Sequence, residues 1–193
     1  MLPLRIIALL VSEILTSGSY GLMMPILALF LTDKISGANL MSIAVAVAIY
    51  LFAQAGFSWI FSSYMHHAKT MERAQAGLFF GSAVITLVPV AYAYSTDMSQ
   101  VMLAQIVLGL GYGLMYPAWT WLANDHAPNK YLNSLKNLHS LISALSLAAV
   151  TAIGGFVAYF YGYNTLLRMM MIFGFLGTLA ATTLFFGKTK KRR

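Results

Sequence analysis

Apolar residues run along this chain in long stretches, and polar residues gather in the short gaps between them. Six stretches, near 4–31, 40–62, 75–95, 99–122, 138–160 and 165–186, stand out. A helix needs about 20 residues to cross some 30 Å of hydrocarbon, and each stretch meets that length. None alternates with the period of two that a membrane barrel requires. The pattern therefore predicts an all-α integral membrane protein, residues 1–193 forming a single domain of six transmembrane helices. The gaps are short: Thr32 to Asn39 is polar and holds Gly37, and Thr96-Asp97-Met98 is minimal. Consecutive helices are expected to be antiparallel neighbours. Arg5 followed by Ile6 to Val11 loosely resembles a signal peptide, but Glu13 breaks the run and it resumes through Leu31, which points to a retained helix.

Composition sharpens this picture. Sixty per cent of the chain (60%) is hydrophobic and 9% is charged, with mean hydropathy +0.75. A soluble domain carries about 25% charged residues, so most of this surface faces something other than water. The net charge of +7 does not suggest nucleic acid, because the basic residues sit at the ends of apolar runs. Arg5, Lys69, Arg73, Lys130, Lys136, Lys188, Lys190, Lys191, Arg192 and Arg193 fall on one set of faces, and only Lys34 and Arg168 on the other. The positive-inside rule then places both termini in the cytoplasm of a cell-membrane protein. The basic tail reads as a topology anchor meeting anionic headgroups, and Arg168 as a residue that snorkels to the interface. Cysteine is absent, which removes disulfides and thiolate chemistry.

One six-residue pattern occurs twice. Tyr20-Gly21-Leu22-Met23-Met24-Pro25 and Tyr112-Gly113-Leu114-Met115-Tyr116-Pro117 match at five of six positions, with Glu13 corresponding to Gln105 and Asp33 to Asp125. A glycine four residues before a proline gives room for a helix bend where the proline removes a hydrogen bond. Gly21, Pro25, Gly113 and Pro117 are therefore candidate hinges. With the predicted topology the two copies cross in opposite directions, which suggests inverted three-helix repeats, about 1–96 and 97–193, as in transporters.

Glu13 is the only carboxylate inside a predicted span, about 12 Å of helical rise beyond Arg5. A lone charge there must be paired, hydrated or protonated. It is read as a proton-coupling or cation-binding group, or alternatively as an acid near enough to the cytoplasmic face to meet water. Ser17, Tyr20 and Met24 follow it at helical spacing, and Gln54 is the candidate partner at comparable depth. Gln105, Tyr112, Tyr116 and Trp119 suit a small solute that is amphipathic or carries rings; the bland reading of each is helix packing. Gly109 and Gly113, four apart, permit close helix approach. His66, His67 and His139 lie near the cytoplasmic face without ligand spacing, so no metal is expected. Nor is there a phosphate loop or nucleophile elbow, so neither enzymatic activity nor a cofactor is expected.

The stretch Gly109-Leu110-Gly111-Tyr112-Gly113-Leu114-Met115-Tyr116-Pro117-Ala118, with Asp125-His126-Ala127-Pro128-Asn129-Lys130 after it, resembles the fourth helix and its exit in the major facilitator superfamily. Gly154-Gly155 is similar to that family's fifth-helix motif, and Pro25 with Leu29-Phe30-Leu31 to its first helix. There are departures. Ser62, His66 and His67 stand where the family's signature loop has glycine and aspartate, Lys69 and Arg73 following; Gln105 replaces an arginine, and Thr151 a proline. Full members have twelve helices in two halves, and this chain has six. The resemblance implies a half-length secondary transporter of a small solute. Two copies would form a parallel homodimer with a central cavity, and Asp125, Gly154 and Gly155 would act in gating. The alternatives are a scaffold or accessory subunit that does not transport, and one half of a split or longer transporter. Met1 and the basic tail fit a complete chain.

Overall fold

The computed structural model describes residues 4–68, 71–126 and 132–186. Lys69, Pro128, Asn129, Lys130 and the basic tail from Lys188 lie outside the described residues, as do the side chains of His66, His67 and Lys136. Every element is helical: α1 (Leu4–Gly21), a 3-10 turn (Met24–Ile26), α2 (Leu27–Lys34), α3 (Leu40–Ala68), α4 (Met71–Tyr94), α5 (Met98–His126) and α6 (Leu132–Phe186). Five helical units are long and apolar enough to cross a membrane, α1 and α2 counting together. The fold is therefore all-α and compatible with a membrane protein.

Five rather than six is the count because the expected connection between 160 and 165 is a single non-helical residue. Gly162, at φ 78° and ψ 170°, interrupts an otherwise continuous α6 of 55 residues. That conformation is essentially open to glycine alone. The contacts show that the chain reverses there. Before Gly162, Ser143 meets Glu13, Val150 meets Gly18 and Gly154 meets Leu22, so this first arm runs parallel to α1. After it, Tyr163 reaches Asp33, Met170 meets Ser19 and Gly177 meets Thr16, so the second arm runs antiparallel to the same helix.

Local chemistry sets the other ends. Asn39 caps α3 reciprocally: its Oδ1 accepts from the Ser42 amide at 2.9 Å, and its own amide donates to Ser42 Oγ at 2.9 Å, satisfying two otherwise orphaned donors. Asp97 caps α5 by accepting from the amides of Ser99 and Gln100 at 2.9 and 3.2 Å. The two short connections on this side are tied together, since the Ser36 amide donates to Thr96 O at 3.0 Å.

The first copy of the repeated motif does break. α1 ends at Gly21, the turn carries Pro25, and Ile26 (φ −113°, ψ 3°) has left helical geometry. The second copy remains helical through Pro117. Their surroundings explain the difference. Met24 and Pro25 are exposed, whereas α5 is clamped along both sides: Gly109 and Gly113 lie against Tyr50, Ala53, Gln54, Phe57 and Ser58 of α3, and Gly111 against Gly81 and Ile85 of α4. Helices α1 and α5 form the centre, with 56% of the most apolar window buried in each. The windows of α3 and α6 are only 11% and 17% buried, so their apolar faces look outward.

Candidate functional site

Glu13 is 3% exposed, in the middle of α1. Its carboxylate is held from two helices. The Ser17 hydroxyl, one turn on, donates to Oε1 at 3.4 Å; the Ser143 hydroxyl, from the first arm of α6, donates to Oε2 at 3.2 Å. His139, one turn before Ser143, brings Nε2 to 3.1 Å from Oε2. That is an ion-pair distance, though the ring is not aligned for a hydrogen bond, and the pair is ionic only when the imidazole is protonated. Trp119 stacks on His139 with ring centroids 4.0 Å apart and planes at 32°. A buried carboxylate is tolerable when hydrogen-bonded and paired in this way.

Two cavities adjoin this cluster. One, of about 180 Å³, is lined by Glu13, Ser17, Ser143, Ser146 and Tyr116 among others. The second, of about 510 Å³, lies between α3 and α5 and is lined by Trp59, Trp121, Tyr116, Ser58 and Ser62 together with Pro117. Tyr116 belongs to both.

A chain of tyrosine rings leads from there into the core. Tyr116 stacks on Tyr112 (5.5 Å, 23°), and Tyr112 meets Tyr50 (6.0 Å) and Tyr20 (6.3 Å) edge-on. Gln105 is fully buried near the Tyr20 hydroxyl, yet neither atom of its amide has a hydrogen-bond partner among the described residues. The Tyr92 hydroxyl is likewise buried without a partner there. An unmet buried polar group costs about 1–3 kcal/mol, so water is the simplest occupant of their vicinity.

The sequence-derived candidates thus separate. Glu13, Ser17 and Tyr116 converge on the carboxylate cavity, with Trp119 behind His139. Tyr20, Tyr112 and Gln105 lie deeper in the core, joined to that cavity through the Tyr112–Tyr116 stack. Gln54, expected to partner Glu13, is placed by its backbone nitrogen against Gly109, and the groups that reach Glu13 from another helix are those of Ser143 and His139. Met24, expected on the Glu13 face, is exposed beyond the break. Gly21 sits against Leu147 and Val150, and Gly113 against Phe57. Gly154 lies directly on the Leu22 carbonyl at the break in α1, while Gly155 lines an outer groove with Ile26 and Leu29. Asp125 is exposed near the end of α5. Reasoning from the sequence missed Ser143 and His139 as ligands of the carboxylate. They are 130 and 126 residues from Glu13, with no local pattern linking them; their own spacing of four was the one available signal.

What fold and site define is an all-helical, membrane-compatible chain with a buried, hydroxyl-bound carboxylate beside two cavities. A scan against protein-family models and a search of curated proteins find no match to it.

Proposed function

We propose that this chain is a six-pass, half-length secondary transporter of the facilitator type, with both termini cytoplasmic. It works as a parallel homodimer that moves a small amphipathic or aromatic solute by alternating access and couples it to protons through Glu13. The observation that carries this reading is Glu13 itself: a carboxylate only 3% exposed within a membrane-length helix, hydrogen-bonded by two hydroxyls, with an imidazole at ion-pair distance, and opening on a cavity. A structural role alone seldom keeps an ionisable group at such depth.

The packing supports inverted repetition. At matched positions Gly21 meets the first arm of α6 at Leu147 and Val150, and Gly113 meets α3 at Phe57 and Ser58. Ser19 donates to Met170 O, and its counterpart Gly111 packs on Gly81 and Ile85. Each repeated helix thus lies along the second and third helices of the opposite set, the exchange that an axis in the membrane plane generates. The sparse burial of α3 and α6 leaves the α1, α3, α5 and α6 side open to a second copy, whose twofold would rebuild a two-half transporter. The same open side fits a separately encoded half, which is the second reading.

The test is uptake in proteoliposomes under an imposed proton gradient, screened over a panel of small amines, alcohols and aromatic solutes, with subunit counting in bilayers. Wild type should accumulate solute as a dimer, and Glu13→Gln should abolish gradient-driven accumulation while expressing normally. Undiminished, equally pH-dependent uptake in Glu13→Gln would remove Glu13 from the mechanism. An active monomer would remove the dimer.

A further inference from the structure

The two cavities that share Tyr116 differ in chemistry. The smaller has a carboxylate and three serine hydroxyls; the larger has two indoles and hydroxyls, with no charged residue among its described lining. Tyr116, itself part exposed, is the only described residue that lines both. We propose that they are two compartments of one site for an aromatic amine with a short alkyl linker, its ammonium on Glu13 and its ring between Trp59 and Trp121. This rests on the transport reading and names the solute class of that same site.

Each compartment fits its half of such a molecule. The ammonium has three donors and no acceptor. Glu13 offers the charge, and Ser17 and Ser143, whose protons go to the Glu13 carboxylate, keep hydroxyl oxygens able to accept, with the Ser146 hydroxyl also in the lining. The partner present, His139, is a cation only when protonated, so a neutral imidazole leaves the buried carboxylate without a counter-charge among the described residues. A cavity of about 180 Å³ has room for an aminoethyl group; a space of this size would also admit a small ring, so it is the carboxylate and hydroxyls, not the volume, that assign the ammonium here. An ammonium there also lies beside the Tyr116 ring, and cation–π attraction acts within about 6 Å of a ring centroid. The 510 Å³ compartment presents aromatic faces and hydroxyls, suited to a ring with or without polar substituents. An amino acid is disfavoured, because its carboxylate would be brought next to Glu13 with no cation among the described lining of the larger compartment to meet it.

The experiment is calorimetric titration of the full chain in lipid nanodiscs, with empty nanodiscs as the blank, using phenethylamine, 2-phenylethanol, ethylamine and phenylalanine. Phenethylamine should bind at least tenfold more tightly than each of the others. Glu13→Gln should bring amine and alcohol to equal affinity. Trp121→Ala should weaken phenethylamine at least fivefold and leave ethylamine unchanged. If Glu13→Gln does not purify, Ser143→Ala serves, weakening the amine at least threefold but not the alcohol. Equal affinity of amine and alcohol in wild type, discrimination retained in the Glu13 variant or undiminished in the Ser143 variant, or no binding of any of the four overturns the assignment. Lost amine preference with Glu13-dependent uptake intact overturns this assignment alone; amine binding without any uptake leaves it standing and overturns the transport reading.

Discussion

The contact between α4 and α5 makes a quantitative prediction. A Cβ added at Gly81 would stand 2.7 Å from the Gly111 carbonyl oxygen and 2.8 Å from the Met115 amide nitrogen, both backbone atoms that cannot swing away. Ordinary contact begins near 3.4 Å, so Gly81→Ala must part the two helices by about 0.7 Å. A gap of that size forfeits roughly a quarter to a half of the dispersion between the surfaces it separates, and overpacking of this kind costs about 1–3 kcal/mol. Alanine also recovers about 1 kcal/mol of helix propensity, which obscures the packing cost in a single variant. Gly56→Ala is the control: Gly56 is an exposed helical residue of α3 with nothing within 4 Å of its Cβ position, so it gains the propensity alone. The difference between the two variants isolates packing, and at about 2–4 °C per kcal/mol for a chain of this size it is readable by thermal unfolding in mild detergent. Gly56→Ala should melt at or above wild type and Gly81→Ala clearly below Gly56→Ala. Equal melting of the two variants would show that α4 and α5 do not touch at Gly81 and Gly111.

Two further predictions address the Gly154 contact and a helix start. Gly154→Ala drives a methyl into the Leu22 carbonyl, whereas Gly155→Ala meets nothing within 4 Å; the first should abolish uptake and raise amide exchange over 22–26, the second should do neither, and matching behaviour would refute a specific role for that contact. The Ser99 hydroxyl, donating to the Asp97 carboxylate, holds that exposed group below the usual carboxylate range, helped by the Gln100 amide. Because the folded value is depressed, the cap stabilises fully above the unfolded value of roughly 4 and is lost as pH falls through the folded value. Protection of the Ser99 and Gln100 amides should therefore be flat around neutral pH and drop in strong acid, and Asp97→Ala should remove the dependence; a wild-type profile identical to that of the variant would disprove the cap.

Helix existence was legible in the sequence because the apolar runs are long and charge is confined to the gaps between them. Their ends were not. α3 continues to Ala68 and α4 begins at Met71, beyond the apolar windows, since a helix that leaves hydrocarbon loses hydrophobic residues before it loses its hydrogen bonds. The motif Gly21 to Pro25 announced a bend and the chain breaks there, but the near-identical Gly113 to Pro117 stays helical. The outcome was decided by neighbours from α3 and α4 that no local pattern names. Likewise Glu13 identified itself by burial cost, while its ligands Ser143 and His139 come from a helix more than a hundred residues away. Gln105, Tyr20 and Tyr112 were legible as pathway candidates one by one, Tyr50 carried no signal of its own, and only their mutual placement makes a cluster of them.

The reversal at Gly162 bears on how deep the molecule floats. A straight helix of 55 residues would be about 80 Å long, far more than the roughly 30 Å of a hydrocarbon core; one glycine folds that length in two. Immediately before it, Tyr159, Phe160 and Tyr161 are exposed, and Phe160 packs at a tilt against Phe156 with ring centroids 4.6 Å apart. The rings of Tyr159 and Tyr161 are amphipathic, and such rings settle at the level of the headgroups. In a bilayer the fold would therefore carry its own waterline, drawn by two tyrosines beside the turn at Gly162.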